Sequence, residues 1–233
     1  MGASPTPRRR PRRGEHCPAV AARRESRAVT FEIRPLTPER AGDYLAFFDH
    51  HRGPAFSDNP EWATCYCQFY HTPRSIDWRA RGGNENREAM TGRILTGEME
   101  GFLAYETGAQ DGTAVIGWLN AQPRNKLPHC FERMRIEPTA ADVPDFKAAQ
   151  VLCFVIHPQW RRRGVARALL FAACESLARR GFESIEAYPF NAGDSEDATD
   201  HYHGTLSMFI DADFEIIRED SELTVVRKTL TPR

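Results

Sequence analysis

The sequence predicts a mixed α/β domain, of the α+β mixed-sheet kind, and three observations carry that expectation. Runs of strand character and helical periodicity interleave in the order βααβββαβαββ, with no internal repeat. One run, Val151–Ile156, is continuously apolar, as a strand covered on both faces is. A basic turn joins it directly to an amphipathic helical pattern. With 233 residues, 41% of them hydrophobic and 27% charged, the chain can bury a sizeable core and is not disordered throughout.

The elements follow in order. Val29-Thr30-Phe31-Glu32-Ile33-Arg34 alternates apolar and polar residues, predicting a half-buried strand closed by Pro35. Thr37-Pro38-Glu39-Arg40 supplies an N-cap and a proline at the first helical position. The helix they open runs through Tyr44, Leu45, Phe47 and Phe48, with Leu45 and Phe48 expected on the core face. Residues 51–82 are irregular and crowded with Phe56, Trp62, Tyr66, Phe69, Tyr70 and Trp78, the composition of a lid or binding loop. A second helix fits Asn86–Met99, where Met90, Ile94 and Leu95 recur at helical spacing. Strands are expected at Gly101–Tyr105 and Thr113–Leu119, joined by the turn Gln110-Asp111-Gly112. Residues 122–148 hold four prolines and read as a loop with one short helix. His157-Pro158 ends the strand at Val151–Ile156. The following helix, about Gly164 to Arg180, shows Val165, Leu169, Ala172, Ala173 and Leu177 on one face and stops at Gly181. A strand at Ser184–Tyr188, an acidic loop at 191–200, a helix at about Thr205–Asp211 and strands at Phe214–Ile217 and Thr224–Lys228 complete the chain.

The net charge of −1 conceals a split. Residues 1–28 carry eight arginines against Glu15 and Glu25, a net of +6, which leaves −7 for the remainder. That segment has no aromatics to stack bases and no apolar periodicity to lie on a membrane, so it is expected to be a disordered Arg-rich tail with no nucleic-acid or membrane role. Residues 29–233 then form a single domain. No apolar run reaches the ~18 residues of a membrane span, and the arginines are not followed by a signal-peptide core. Six cysteines are too sparse for a disulfide scaffold, and the expected compartment is the reducing cytoplasm.

The chemistry concentrates at residues 151–170. A helix N-terminus offers unpaired N–H groups and the positive end of the dipole, so the turn before it can cradle a phosphate. Here Gly164 lets the backbone approach closely, Ala166 keeps the first turn uncrowded, and Arg161, Arg162 and Arg163 add charge. A Walker A loop is excluded because no Gly-Lys-Ser/Thr closes the turn, and a dinucleotide fingerprint because only one glycine is present. The run Arg161-x-x-Gly164-x-Ala166, after a strand ending in Ile156-His157-Pro158, resembles the acetyl-CoA motif of the GNAT superfamily of N-acetyltransferases.

That resemblance spans roughly residues 29–229. It implies a central mixed sheet, splayed at the Val151 strand, with flanking helices and unpaired backbone groups at the splay. The implied cofactor contacts are Phe154, Val155 and Ile156 along the pantetheine arm and Arg161, Arg162, Arg163, Gly164, Val165, Ala166 and Arg167 around the pyrophosphate. The implied reaction moves acetyl from acetyl-CoA, a cosubstrate, directly to an amine. It needs no metal. Many members carry a proton-donating tyrosine in a Tyr-x-x-x-Gly-Phe segment. This chain has Phe209-Ile210-Asp211-Ala212-Asp213-Phe214 there, so Tyr202, His203 and Ser207 are the candidate catalytic groups, weighed against Tyr202 as a packing aromatic and His203 as a solvated loop residue. No acid stands on the central strand at Leu152 or Cys153, which leaves Asp200, His201 or His203 at the end of a water chain as the candidate base.

Cys65-x-Cys67 with His71, or His129-Cys130, has poor spacing for structural zinc. The acidic run Asp194, Glu196, Asp197 and Asp200 would attract a cationic amine. The expected acceptor is therefore a small cationic primary amine, aminoglycoside-like or a polyamine, with a homodimer allowed. Acetylation of a protein or peptide amine, and an inactive acyl-CoA sensor permitted by Phe209, are the alternatives. If the acidic run is not the acceptor site, the Trp62–Tyr70 loop is the next candidate.

Overall fold

The computed structural model describes residues 31–107, 114–139, 144–192, 195 and 197–231. The Arg-rich segment, the turn Gln110-Asp111-Gly112, Asp194 and Glu196 lie outside them. The described residues form seven strands: β1 (Phe31–Pro35), β2 (Phe102–Glu106), β3 (Val115–Pro123), β4 (Ala148–Ile156), β5 (Ser184–Ala187), β6 (Glu215–Glu219) and β7 (Thr224–Thr229). They form one sheet in the order β1-β2-β3-β4-β5-β7-β6, in which only β4 and β5 run parallel. Five α-helices flank it: α1 (Ala41–Phe47), α2 (Gly83–Leu95), α3 (Cys130–Met134), α4 (Val165–Arg179) and α5 (Leu206–Ile210). Among the described residues no helix is long and apolar enough to cross a membrane.

The two sheet faces bury different layers. Val165, Leu169, Leu170, Ala173 and Leu177 of α4 and Phe209 of α5 pack with Val151 and Phe154 on one face. Tyr44 and Phe47 of α1 and Met90 and Ile94 of α2 pack with Trp118 and Val155 on the other. Gly117 permits the first contact to be close: a Cβ there would sit 3.0 Å from both Ile156 Cδ1 and Val165 Cγ1. Beside these layers, Glu186 of β5 is fully buried, with Arg124 Nη2 at 2.9 Å, Arg227 Nη2 at 2.6 Å and Thr139 Oγ1 at 2.8 Å. Two guanidinium groups and a hydroxyl compensate its desolvation.

Several expected boundaries are corrected. The first helical turn is a 3-10 turn over Pro38–Arg40, so the inward face of α1 becomes Ala41, Tyr44 and Phe47, and Leu45 is only partly buried. Helix α2 starts at Gly83 and ends at Leu95, which is 58% exposed, while Met99 is buried beyond the helix. The region read as a loop at 122–148 gives up both ends to strands: β3 continues to Pro123 and β4 begins at Ala148. Buried polar residues hid those ends. Gln122 Nε2 donates to Asn120 Oδ1 at 2.7 Å and Gln150 Nε2 donates to Tyr188 Oη at 2.5 Å. Asn120 Nδ2, Gln122 Oε1 and Gln150 Oε1 are buried without a partner among the described residues, so these side chains interrupt the apolar pattern and are only half satisfied.

Candidate active site

The central feature is a bulge in β4. Asn120 of β3 pairs with Cys153 and Ala121 pairs with Val151, so Leu152 has no opposing residue. A bulge inverts the alternation beyond it. Val151 and Phe154 therefore face α4, whereas Leu152 and Cys153 both face the α1–α2 side. Pairing of β4 with β5 stops at Val151↔Ala187, although β4 pairs with β3 as far as Ile156. The sheet splays there.

The backbone groups in the splay are not all free, which corrects the sequence expectation. Phe154 donates its N–H to the carbonyl of Tyr202 at 2.6 Å. Two residues on, the antiparallel ladder turns the Ile156 N–H to the same side, because His157 is the residue bonded to Ile116 of β3. The Phe154 ring is buried against Phe209, with centroids 6.2 Å apart, and Val155 packs on the opposite face.

Beyond Ile156, a 3-10 turn over Pro158–Trp160 leads to Arg161, Arg162 and Arg163. Arg162 has φ +59° and Gly164 φ +82°. Gly164 is the N-cap of α4, and a Cβ added there would meet nothing within 4 Å. Val165 is buried beneath it, Ala166 is half-buried, and Arg162, Arg163 and Arg167 are exposed. The open space over the unpaired amides of α4 fits a pyrophosphate, with the arginines around it. Their present partners differ. Arg163 lies over the Trp160 ring at 5.4 Å, and Arg167 lies over Phe171 at 5.4 Å with Asp211 at 4.0 Å. Arg161 makes a two-point ion pair with Asp58, its Nη2 3.0 Å from Oδ1. It thereby ties the aromatic loop to the turn.

That loop meets the Tyr202–His203 segment. Trp62 stands edge-on to the Tyr202 ring at 5.0 Å, and Phe190 packs on Tyr202 at 5.3 Å and on His203 at 4.7 Å. Tyr70 Oη lies 2.6 Å from His203 Nε2. His203 is 1% exposed, not solvated, and its Nδ1 has no partner. Burial lowers its pKa to about 3, so the ring is neutral at physiological pH. Burial also raises the Tyr202 phenol, with nearby Cys153 adding to the shift, so the phenol keeps its proton. Ser207 is separate from this group: it is exposed and bonds Thr205 Oγ1 at 3.2 Å beside the cap of α5. Asp197 and Asp200 are exposed, and Ser195 Oγ donates to Asp200 Oδ2 at 2.6 Å. His201 Nε2 lies 2.5 Å from the Ser195 carbonyl.

Asp58 and Tyr70 carry contacts that no local pattern announced. The density of aromatics around Trp62 was their only signal. Among the described residues no group of three or more His, Cys, Asp or Glu is placed to hold a metal ion. His71 is buried with both ring nitrogens unpartnered.

The splayed mixed sheet and the glycine-capped basic turn before α4 are the arrangement expected of a transferase that takes an acyl group from a coenzyme A thioester. The model of the acetyltransferase (GNAT) family matches residues 60–202, more than half of the chain, and the protein belongs to that family of acetyl-CoA-dependent acetyltransferases. Solved structures of similar fold include the PaiA N-acetyltransferase of Thermoplasma acidophilum in complex with coenzyme A. It is 14% identical over 86% of this chain and 99% of that one, with a TM-score of 0.49. A GCN5-related N-acetyltransferase of Kribbella flavida is 15% identical over 86% and 98%, with a TM-score of 0.48. An N-acetyltransferase of Staphylococcus aureus Mu50 is 13% identical over 87% and 99%, with a TM-score of 0.47. No curated protein matches the chain.

Proposed function

We propose that the protein acetylates the primary amine of a small cationic molecule in a reducing cytoplasm, with Tyr202 as the proton donor. One observation carries the assignment. The Tyr202 carbonyl sits on the Phe154 N–H at the splay, while its ring meets Trp62 of the aromatic loop, so cofactor strand and acceptor loop converge on this residue. The free thiols of the five described cysteines support the compartment.

The amides at Gly164–Arg167, with Arg162 and Arg163, hold the pyrophosphate of acetyl-CoA, which supplies the activated acetyl group when bound. The Ile156 N–H faces the gap and polarises a carbonyl placed there. The acceptor attacks as the free amine after giving one proton to solvent. Tyr202 Oη delivers its proton to the departing thiolate, and the proton shed by the new amide nitrogen restores the phenol through solvent. His203 is a positioning residue: its neutral ring holds Tyr70 Oη, and its low basicity makes it a poor proton acceptor near pH 7. Asp197 and Asp200 attract the ammonium form of the acceptor, and the acceptor's body lies against Trp62 and Tyr202.

The experiment is a thiol-release screen over amino sugars, polyamines, arylalkylamines, amino acids and peptides, repeated with Tyr202→Phe. The expected result is turnover on a small amine that falls by ~10²–10⁴-fold in the variant with KM little changed. Turnover on peptides alone would move the acceptor class, and a Tyr202→Phe enzyme at the wild-type rate would remove the proton donor.

A further inference from the structure

Residues 58–62 of the aromatic loop bridge the cofactor turn and the Tyr202 segment, and a side chain anchors each end. Asp58 holds Arg161 through both carboxylate oxygens, with Nη2 3.0 Å from Oδ1. Four residues on, the Trp62 ring stands edge-on to Tyr202, whose carbonyl sits on the Phe154 N–H inside the splay. Between these anchors the backbone closes single turns: Asn59 donates to the Phe56 carbonyl at 3.0 Å, Trp62 to Asn59 at 3.1 Å and Ala63 to Pro60 at 3.2 Å. Both partners of the ion pair meet solvent, Arg161 with 31% and Asp58 with 44% of the side chain exposed, so the tie is weak enough to be exchanged.

We infer that Asp58 is a positioning residue that makes the acceptor site answer to the cofactor. In the free protein it holds Arg161. The coenzyme A pyrophosphate takes Arg161 over, and residues 58–62 leave the turn so that the amine can enter beside Trp62 and Tyr202. The inference rests on the pyrophosphate seat proposed above. Arg161 stands three residues before Gly164, in the basic turn around that seat, and both of its Nη groups are committed to Asp58. A pyrophosphate brings two negative charges against the single charge of Asp58, and the amides of α4 hold it as well. While Asp58 stays, its carboxylate repels the incoming anion. The coupling is reciprocal: whatever affinity Asp58 costs coenzyme A, coenzyme A costs the Asp58–Arg161 pair.

The release is local. Before the stretch, Phe56 packs on Phe48 with ring centroids 5.9 Å apart, and after it the Thr64 carbonyl accepts from Asn86 Nδ2 of α2 at 2.9 Å. Those contacts stay while Asp58 and Trp62 move together between them. Glu61, exposed within the stretch, reports the movement, because a protease that cuts after glutamate needs its backbone free of the turn.

The test uses the full-length chain and coenzyme A alone. Calorimetry should find coenzyme A bound about 2–5-fold more tightly by Asp58→Asn than by the wild type, the range of an exposed ion pair, with the gain lost in 1 M salt. Asp58→Glu, which keeps the charge, should restore the wild-type affinity. Cleavage after Glu61 by a glutamate-specific protease, followed by peptide mapping, should be accelerated by coenzyme A in the wild type and already fast without it in Asp58→Asn. Equal or weaker binding by Asp58→Asn overturns the exchange. Coenzyme A that protects Glu61, or leaves its cleavage unchanged, overturns the release. A wild-type protein that binds no coenzyme A would remove the seat and the exchange with it, whereas equal affinities remove the exchange alone. Neither measurement needs an acceptor, so a failure of the acceptor assignment is a separate result.

Discussion

At the scale of single residues, local chemistry was legible and distant chemistry was not. The turn Arg161–Ala166 could be read because its parts are contiguous, and the glycine, the charges and the helix start need no tertiary information to be placed together. Gly164 shows how far that reading reaches. Its φ of +82° disfavours any L side chain, yet the space around its Cα is open. Gly164→Ala and Gly164→Glu therefore share a strain of roughly 1–2 kcal/mol. Only the glutamate puts a carboxylate into the proposed pyrophosphate seat. Calorimetry should find coenzyme A binding kept by the alanine variant and abolished in the folded glutamate variant. Equal affinities in both would empty the proposed seat. The Tyr70–His203 bond, by contrast, joins residues 133 apart in sequence. Nothing in either neighbourhood marks the other. Phe209 was legible as a departure from the family segment, and its buried position against Phe154 gives the departure a packing role. Asp213, which stands for the segment's glycine, keeps that glycine's left-handed backbone at φ +61°.

At the scale of elements, existence was easier to read than extent. Periodicity identifies α4 because its apolar residues face one layer only. It fails at the ends of β3 and β4, where Asn120, Gln122 and Gln150 are buried, each with one amide atom bonded within the sheet or to its neighbour and the other unpartnered among the described residues. The bulge at Leu152 is invisible in an apolar run, since every residue there is compatible with either face. The segment after β5 behaves differently again. Its composition announced negative charge, and the described part exposes Asp197 and Asp200 beside the residues that lead to Tyr202. Paired neutralisation, Asp197→Asn with Asp200→Asn, should raise KM for a cationic amine with kcat nearly unchanged, as loss of uniform binding does. Exposed charges are screened over a Debye length of ~8 Å at physiological ionic strength, so added salt should shrink the difference. An unaltered KM at low salt would shift recognition to the Trp62–Tyr70 loop.

At the scale of the whole molecule, the packed layers on the two sheet faces and the buried ion network are built from described residues, and the Arg-rich segment lies outside those. Deleting residues 1–28 should leave turnover and Tm unchanged, because that sequence has no apolar periodicity with which to offset its ordering entropy. A fall in either would make the segment part of the working protein. Acid stability offers a sharper test of the interior. His71 and His203 are both buried, and burial lowers each pKa from 6.5 to about 3. For His71 the charges of Arg93 and His129 add to the effect. An unfolded chain takes up protons at both sites as pH falls below 6.5, whereas the folded chain does not until about 3. Stability is therefore full above pH 6.5 and declines through that window, by up to about 1.4 kcal/mol per pH unit for each histidine. His71 has no hydrogen-bond partner on either nitrogen, so replacing it leaves no orphaned group behind. In urea titrations, His71→Leu should match or exceed the wild type at pH 7.5. Between pH 6 and 4 it should lose roughly 1.4 kcal/mol less per pH unit, one proton's worth of linkage. Parallel curves for the two proteins would mean that His71 takes up its proton in the folded state as readily as in the unfolded one, and that its burial does not hold in solution.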